Sequence, residues 1–132
     1  MTRIAYLIKA QTQYDIHSPF VFSLYREVLF APLPHDAVVP SLGKGCRRYN
    51  ELCYKLQRHF HLRPLSASSD TTLFQSFDGI GDFCVVNRPH RSRQNESQWS
   101  NLCKQYRVSI DLYDVGLLLS NPHLHPQHFL LR

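Results

Sequence analysis

Residues 83–112 run FCVVNRPHRSRQNESQWSNLCKQYRVSIDL, and three patterns follow one another within them. Phe83-Cys84-Val85-Val86 is a compact apolar run, which suits a strand buried on both faces. Asn87 to Ser97 is polar and basic. Asn95 with Gln98 resembles a capping box, and it opens a helix whose apolar stripe is Trp99, Leu102, Cys103 and Tyr106. Val108, Ile110 and Leu112 then alternate with Ser109, Asp111 and Tyr113, as in a strand with one apolar face. Strand, helix and strand in this order predict a right-handed unit of two parallel strands, with the helix covering one face of the sheet. The fold class expected is α/β.

Outward from this unit the patterns are shorter. Downstream, Gly116 to Leu119 reads as a strand, Asn121-Pro122 as a turn and Gln127 to Leu131 as a last strand. These two strands are expected to add antiparallel at the edge of a mixed sheet. Upstream, Leu65 to Ala67 and Thr72 to Phe77 each suit a short strand, with Pro64 tolerated only at a strand start. A helix is expected from Cys46 to Phe60. Tyr49, Leu52, Cys53, Leu56 and Phe60 form its stripe, and Glu51 with Lys55 forms a favourable i,i+4 pair. Ala31 to Gly45 holds three prolines and two glycines without a sustained period, as loops do. Ser18-Pro19 is a helix start, and the helix it opens is expected to run to Phe30. Arg3 to Gln11 carries a first short helical face in Ile4, Leu7 and Ile8. The chain reads as one domain, 1–132, with an N-terminal helical segment and loop at 1–45 and a reduced α/β core at 46–132.

Composition supports a globular domain: 132 residues, 43% hydrophobic and 19% charged. Glycine is scarce at five residues, although phosphate and nucleotide loops place several together. A net charge of +5 favours acidic partners, nucleic acid first. Cys46, Cys53, Cys84 and Cys103 form no CxxC pair and read as reduced thiols packed like small hydrophobes. Thr2 to Asp15 has only a short apolar stretch, broken by Lys9, with no small-residue cleavage site. No run approaches the ~20 apolar residues of a membrane span. A cytoplasmic protein without a membrane segment is therefore expected.

Two segments carry a family resemblance. Tyr14-Asp15-Ile16-His17-Ser18-Pro19-Phe20-Val21-Phe22 resembles the N-terminal signature of a group of class I SAM-dependent methyltransferases from Bacteroidetes-type bacteria. Val108 to Leu119, with the ending Gln127 to Arg132, resembles that group's closing strands. Tyr49 to Phe60 resembles the helix before its first Rossmann strand. The resemblance implies a truncated, Rossmann-like methyltransferase fold, with N-terminal helices and C-terminal antiparallel strands. Against that pattern the chain departs at its middle. Where the family places a glycine-rich loop around SAM, this sequence has Arg63-Pro64-Leu65-Ser66-Ala67-Ser68-Ser69-Asp70, with no glycine. The strands with the ribose-binding acid are absent. Where the family has paired acids and then a His, Phe83 to Val86 is followed by Asn87-Arg88-Pro89-His90-Arg91-Ser92.

From this comparison the sequence is expected to be a degenerate methyltransferase-like protein, a non-catalytic binding or partner subunit without a cofactor. It would act as a homo-oligomer or as a heteromer with an intact relative. One alternative is an active SAM-dependent methyltransferase with a rearranged site, for which His17, His90 and Asp111 are the candidates. Another is a small basic RNA-binding module, with Arg88, His90, Arg91 and Arg93 as the candidate anion-binding group. Asp78-Gly79-Ile80-Gly81-Asp82 places two glycines beside two acids, but it precedes a strand and reads as a tight turn. His123-x-His125-x-x-His128 and His59-x-His61 invite a zinc reading, yet no Cys pair or carboxylate completes a set, and no metal is expected.

Overall fold

The computed structural model describes residues 2–10, 19–39, 45–68, 70–77, 81–122 and 124–131. Helix α1 is Arg3–Lys9, with Thr2 capping its start through a hydrogen bond from the Ala5 amide. Helix α2 is Pro19–Leu24 and continues as a π-helical segment, Tyr25–Leu29. Helix α3 is Arg47–Phe60. Three strands follow: β1 Arg63–Ala67, β2 Thr71–Gln75 and β3 Phe83–Asn87. Helix α4 is Arg93–Gln105, and β4 Val108–Asp111, β5 Val115–Leu119 and β6 Gln127–Leu130 complete the chain.

The six strands form one mixed sheet in the order β1-β2-β3-β5-β4-β6. The architecture is therefore α/β, with β3 and β4 parallel to each other as the strand–helix–strand reading expects. The position of β5 corrects that reading. It does not add at the edge; it lies between β3 and β4, antiparallel to both. The cause is local. Only residues 112–114 link β4 to β5, a connection too short for anything but an adjacent antiparallel return. The Leu112 amide donates to the Val115 carbonyl at 2.9 Å to close it. A central place also suits Val115, Leu117, Leu118 and Leu119, all of which are buried. The last strand is corrected as well: β6 is at the edge but runs parallel to β4, pairing Ser109 with His128 and Ile110 with Phe129.

Each face of the sheet is covered by different helices. On one face, Val21, Leu24 and Val28 of α2 and its π-helical extension pack with Tyr49, Leu52, Cys53 and Leu56 of α3. They close over Phe83, Val85, Ile110, Leu117 and Phe129. On the other, α4 sets Trp99, Leu102 and Cys103 against Cys84, Val86 and Leu118. β3 is buried along its whole length, as its apolar run requires.

Smaller differences have clear reasons. Helix α4 starts three residues earlier than the Asn95–Gln98 pair suggests, because Ser92 is the cap: its hydroxyl accepts from the Asn95 amide at 3.1 Å. Glu51 pairs back to Arg47 at 2.9 Å. β1 includes Pro64 as its second residue, which an edge strand permits, and its register shifts between Pro64 and Ser66. Every residue of β1 is exposed. Cys46, Cys53, Cys84 and Cys103 are all free thiols. Burial pushes the Cys53 thiol up to about 12 and the Cys84 thiol up to about 11, so neither supplies a thiolate near neutral pH. Among the described residues, no helix is long and apolar enough to cross a membrane.

Candidate functional site

The parallel strands β3 and β4 both end at one edge of the sheet, the edge where open α/β sheets bind ligands. In this chain the edge is occupied by the protein's own side chains. His90 stands in the β3–α4 loop, Glu96 in the first turn of α4 and Asp111 at the last position of β4. The imidazole Nδ1 lies 3.0 Å from Glu96 Oε2, and Nε2 makes a short contact with Asp111 Oδ2. Both ring nitrogens are thus committed to carboxylates, and the His90 and Asp111 side chains are buried. Burial alone would lower the His90 pKa. The hydrogen bonds to Asp111 and Glu96, and then their charges, outweigh it, so the pKa lies above the ordinary histidine value. The arrangement is an imidazole held between two carboxyl groups, an environment that favours its protonated form.

Aromatic rings close the cluster. Tyr113 stacks on His90 with centroids 5.4 Å apart, and Tyr6 meets Tyr113 edge-on at 5.2 Å. The Tyr6 hydroxyl is directed at the carbonyl of Asp111, at 2.5 Å, and at that of Leu131. This ties α1 to the ends of β4 and β6. Burial first, then the nearby Asp111 charge, raises the Tyr6 pKa far above the ordinary phenol value, so it stays a neutral donor. Tyr113 holds its place with φ +70°, and Arg88 opposite has φ +44°. Both are left-handed conformations that non-glycine residues seldom adopt. The bonds that fix them are Tyr113 N to Asp111 Oδ1 at 2.8 Å and Arg88 N to the Asp114 carbonyl at 2.9 Å. Arg3 lies over the Tyr113 ring and pairs with Asp114 at 3.5 Å. Arg48 reaches Asp114 at 3.4 Å and the Leu112 carbonyl at 3.2 Å.

Of the sequence-derived candidates, the structure brings His90 and Asp111 together. His17 lies outside the described residues. Arg88, Arg91 and Arg93 are exposed around the start of α4, but His90 points away into its two carboxylates and has no ring nitrogen left for an anion. His123 and Asp78-Gly79-Ile80 lie outside the described residues. Among the described residues, no group of three or more His, Cys, Asp or Glu side chains is placed to hold a metal ion. Sequence reasoning missed Glu96, Tyr6 and Tyr113. Glu96 had one available signal, its place in the first turn of a helix that follows His90 closely. Tyr6 had none, because its partners are backbone carbonyls 105 and 125 residues away.

The chain matches no protein-family model, no curated protein and no solved structure.

Proposed function

We propose that this chain is a shortened methyltransferase-like domain that does not itself transfer methyl groups and works by association. The observation that carries the reading is the filled sheet edge. His90 is bonded there to both Asp111 and Glu96, and the rings of Tyr6 and Tyr113 pack beside the imidazole, so both of its nitrogens are engaged within the protein. A second observation supports it. Arg63–Ala67, in the stretch 63–70 where the resemblance would place a glycine-rich loop, is instead the first strand of the β1–β2 hairpin. A hairpin presents no helix N-terminus to an anionic cofactor group.

Association is the second half of the reading. β1 is an edge strand exposed at every residue, and Leu65 and Phe77 beside the hairpin stay exposed at 49% and 71%. Open strand edges carry unpaired backbone groups and invite pairing with another chain. Pro64 and the register shift beside it restrict such pairing to a short stretch near Ala67. A second copy of this chain, or an intact relative, would cover the hairpin. Size-exclusion chromatography with light scattering tests this. The expected mass is a multiple of 15.4 kDa that returns to the single value in Leu65→Asp. A monomer at all concentrations, with no complex formed by an intact methyltransferase-like relative, would count against the reading.

A further inference from the structure

Beside the filled edge lies a pocket that the proposed function does not use. It opens on the α4 face of the sheet, over β4 and β6, and has a volume of about 430 Å³. That is within the range of small-molecule sites, roughly 300–1,000 Å³. Trp99, Ser100 and Cys103 of α4 form one wall; Ser109 and Asp111 of β4 and His128, Phe129 and Leu130 of β6 form the rest. The sequence pattern of the sheet changes here. Under α4, the strands present Cys84, Val86 and Leu118. On β4 and β6 the same face presents Ser109, Asp111 and His128.

An exposed sheet face would be polar for solvation alone, but this one is not exposed: Ser109 and Asp111 are 3% and 4% accessible. Buried polar groups in mid-sheet cost stability unless they are bonded, so each has a partner. Ser109 Oγ lies 2.6 Å from His128 Nδ1, its register partner. Asp111 bonds His90 and the Tyr113 amide through different oxygens. An ionised carboxylate has about four lone-pair sites, so Asp111 retains acceptor capacity. Among the described residues, Asp111 is also the only lining residue of fixed formal charge, in a chain of net +5. Trp99, Phe129 and Leu130 supply apolar and aromatic surface.

We infer that this pocket is a binding site for a small organic ammonium ion with an apolar or aromatic body. The ammonium would donate to Asp111, with Ser109 and His128 as neighbouring polar groups, and the body would lie along Trp99. The inference is independent of the methyltransferase-like reading, since it rests on the pocket's own lining.

Trp99 is the sole tryptophan of the chain, so its fluorescence reports occupancy directly. The probe is phenethylamine, with phenylacetate as the anion of similar size and 2-phenylethanol as the neutral one. The expected result is a saturable change with phenethylamine, at a Kd of about 1 mM or tighter, and binding of both other probes weaker by about tenfold or more. Two variants locate the site. Ser100→Phe places a ring into the pocket from an exposed helix position and is expected to abolish binding. Asp111→Asn is expected to remove the preference for the cation. Circular dichroism confirms that each variant is folded, and if Asp111→Asn does not fold, the probe series with Ser100→Phe still decides. No saturable change with phenethylamine, equal affinity for phenylacetate, or binding that survives in folded Ser100→Phe would overturn the inference.

Discussion

Replacing His90 with alanine is expected to cost about 3–5 kcal/mol of folding stability, the range found when one partner of a buried charge pair is removed. The size follows from what remains. Asp111 is 4% accessible and would keep, among the described residues, the Tyr113 amide as its remaining side-chain hydrogen-bond partner. Glu96 would lose the same imidazole, and the Tyr113 ring would lose the surface on which it stacks. The pH dependence has a definite sign. The groups around His90 are Asp111 from β4, Glu96 from α4, Tyr6 from α1 and Tyr113 from the β4–β5 turn. Burial lowers its folded pKa, but the hydrogen bonds and charges of Asp111 and Glu96 outweigh this and leave it above the ordinary value. The folded state therefore binds the His90 proton more tightly than the unfolded state does. This stabilisation is complete below about pH 6.5, the unfolded value, and is lost as pH rises through the folded one. Urea unfolding measured at steps from pH 6 upward should show stability falling in the native protein. The part due to His90 should be missing from His90→Ala, whose curve should be flatter. A variant within about 0.5 kcal/mol of the native protein, with an unchanged pH profile, would show that the carboxylates do not depend on this ring.

The second large effect lies under Trp99. Gly116 sits in the central strand β5, and a β-carbon placed there would lie 2.5 Å from Trp99 Cη2 and closer still to the ring's Cζ3. A Trp wedged between a helix and a sheet cannot turn aside as an exposed chain end can. Two effects of opposite sign compete in Gly116→Val. β-propensity alone would favour valine by up to about 1 kcal/mol. Overpacking opposes it with about 1–3 kcal/mol or more. The clash is with a rigid ring, so overpacking is expected to dominate, with a net loss near 2–3 kcal/mol. Trp99→Leu should relieve it. In a double-mutant cycle by chemical denaturation, the pair should lose clearly less than the sum of its single variants. Additive losses would mean that the ring and the strand do not press on each other.

Both effects bear on what could be read from the sequence. The strand–helix–strand unit was legible because its patterns are local: an apolar run at 83–86, a helical stripe from Trp99 to Tyr106 and strict alternation at 108–113. Helix α3 was legible for the same reason. The position of β5 was not, because alternation and apolarity say that a strand is buried but not between which neighbours. Chain length across residues 112–114 held the answer, and it points to an adjacent return to β4 rather than to the outer edge. The parallel pairing of β6 depends on the path of residues 120–126, which leaves no periodic trace. At the site, the sequence brought forward His90 and Asp111 but left their relation open. Their bond is made across 21 residues, through a crossover that only the folded chain defines. Glu96, Tyr6 and the Ser109–His128 pair depend on tertiary approach in the same way.

The polar alternation on β4 now has two consequences from one strand. At its end, Asp111 joins the closed cluster with His90 and Glu96. Along the same face, Ser109 and Asp111 line an open pocket. The closed cluster bears on the methyltransferase-like reading, whereas the pocket concerns a separate ligand. Ser100→Phe separates the two, because it fills the pocket while leaving His90, Glu96 and Asp111 themselves unchanged.

The central claim is that the filled edge leaves no place for the methyl donor. Isothermal titration calorimetry with SAM and with S-adenosylhomocysteine tests it most directly, on the native chain and on Ser100→Phe. The expected result is no saturable heat from either ligand with Ser100→Phe, and at most the weak pocket binding of an organic cation with the native chain. Saturable micromolar binding of SAM or S-adenosylhomocysteine that persists in Ser100→Phe would contradict it.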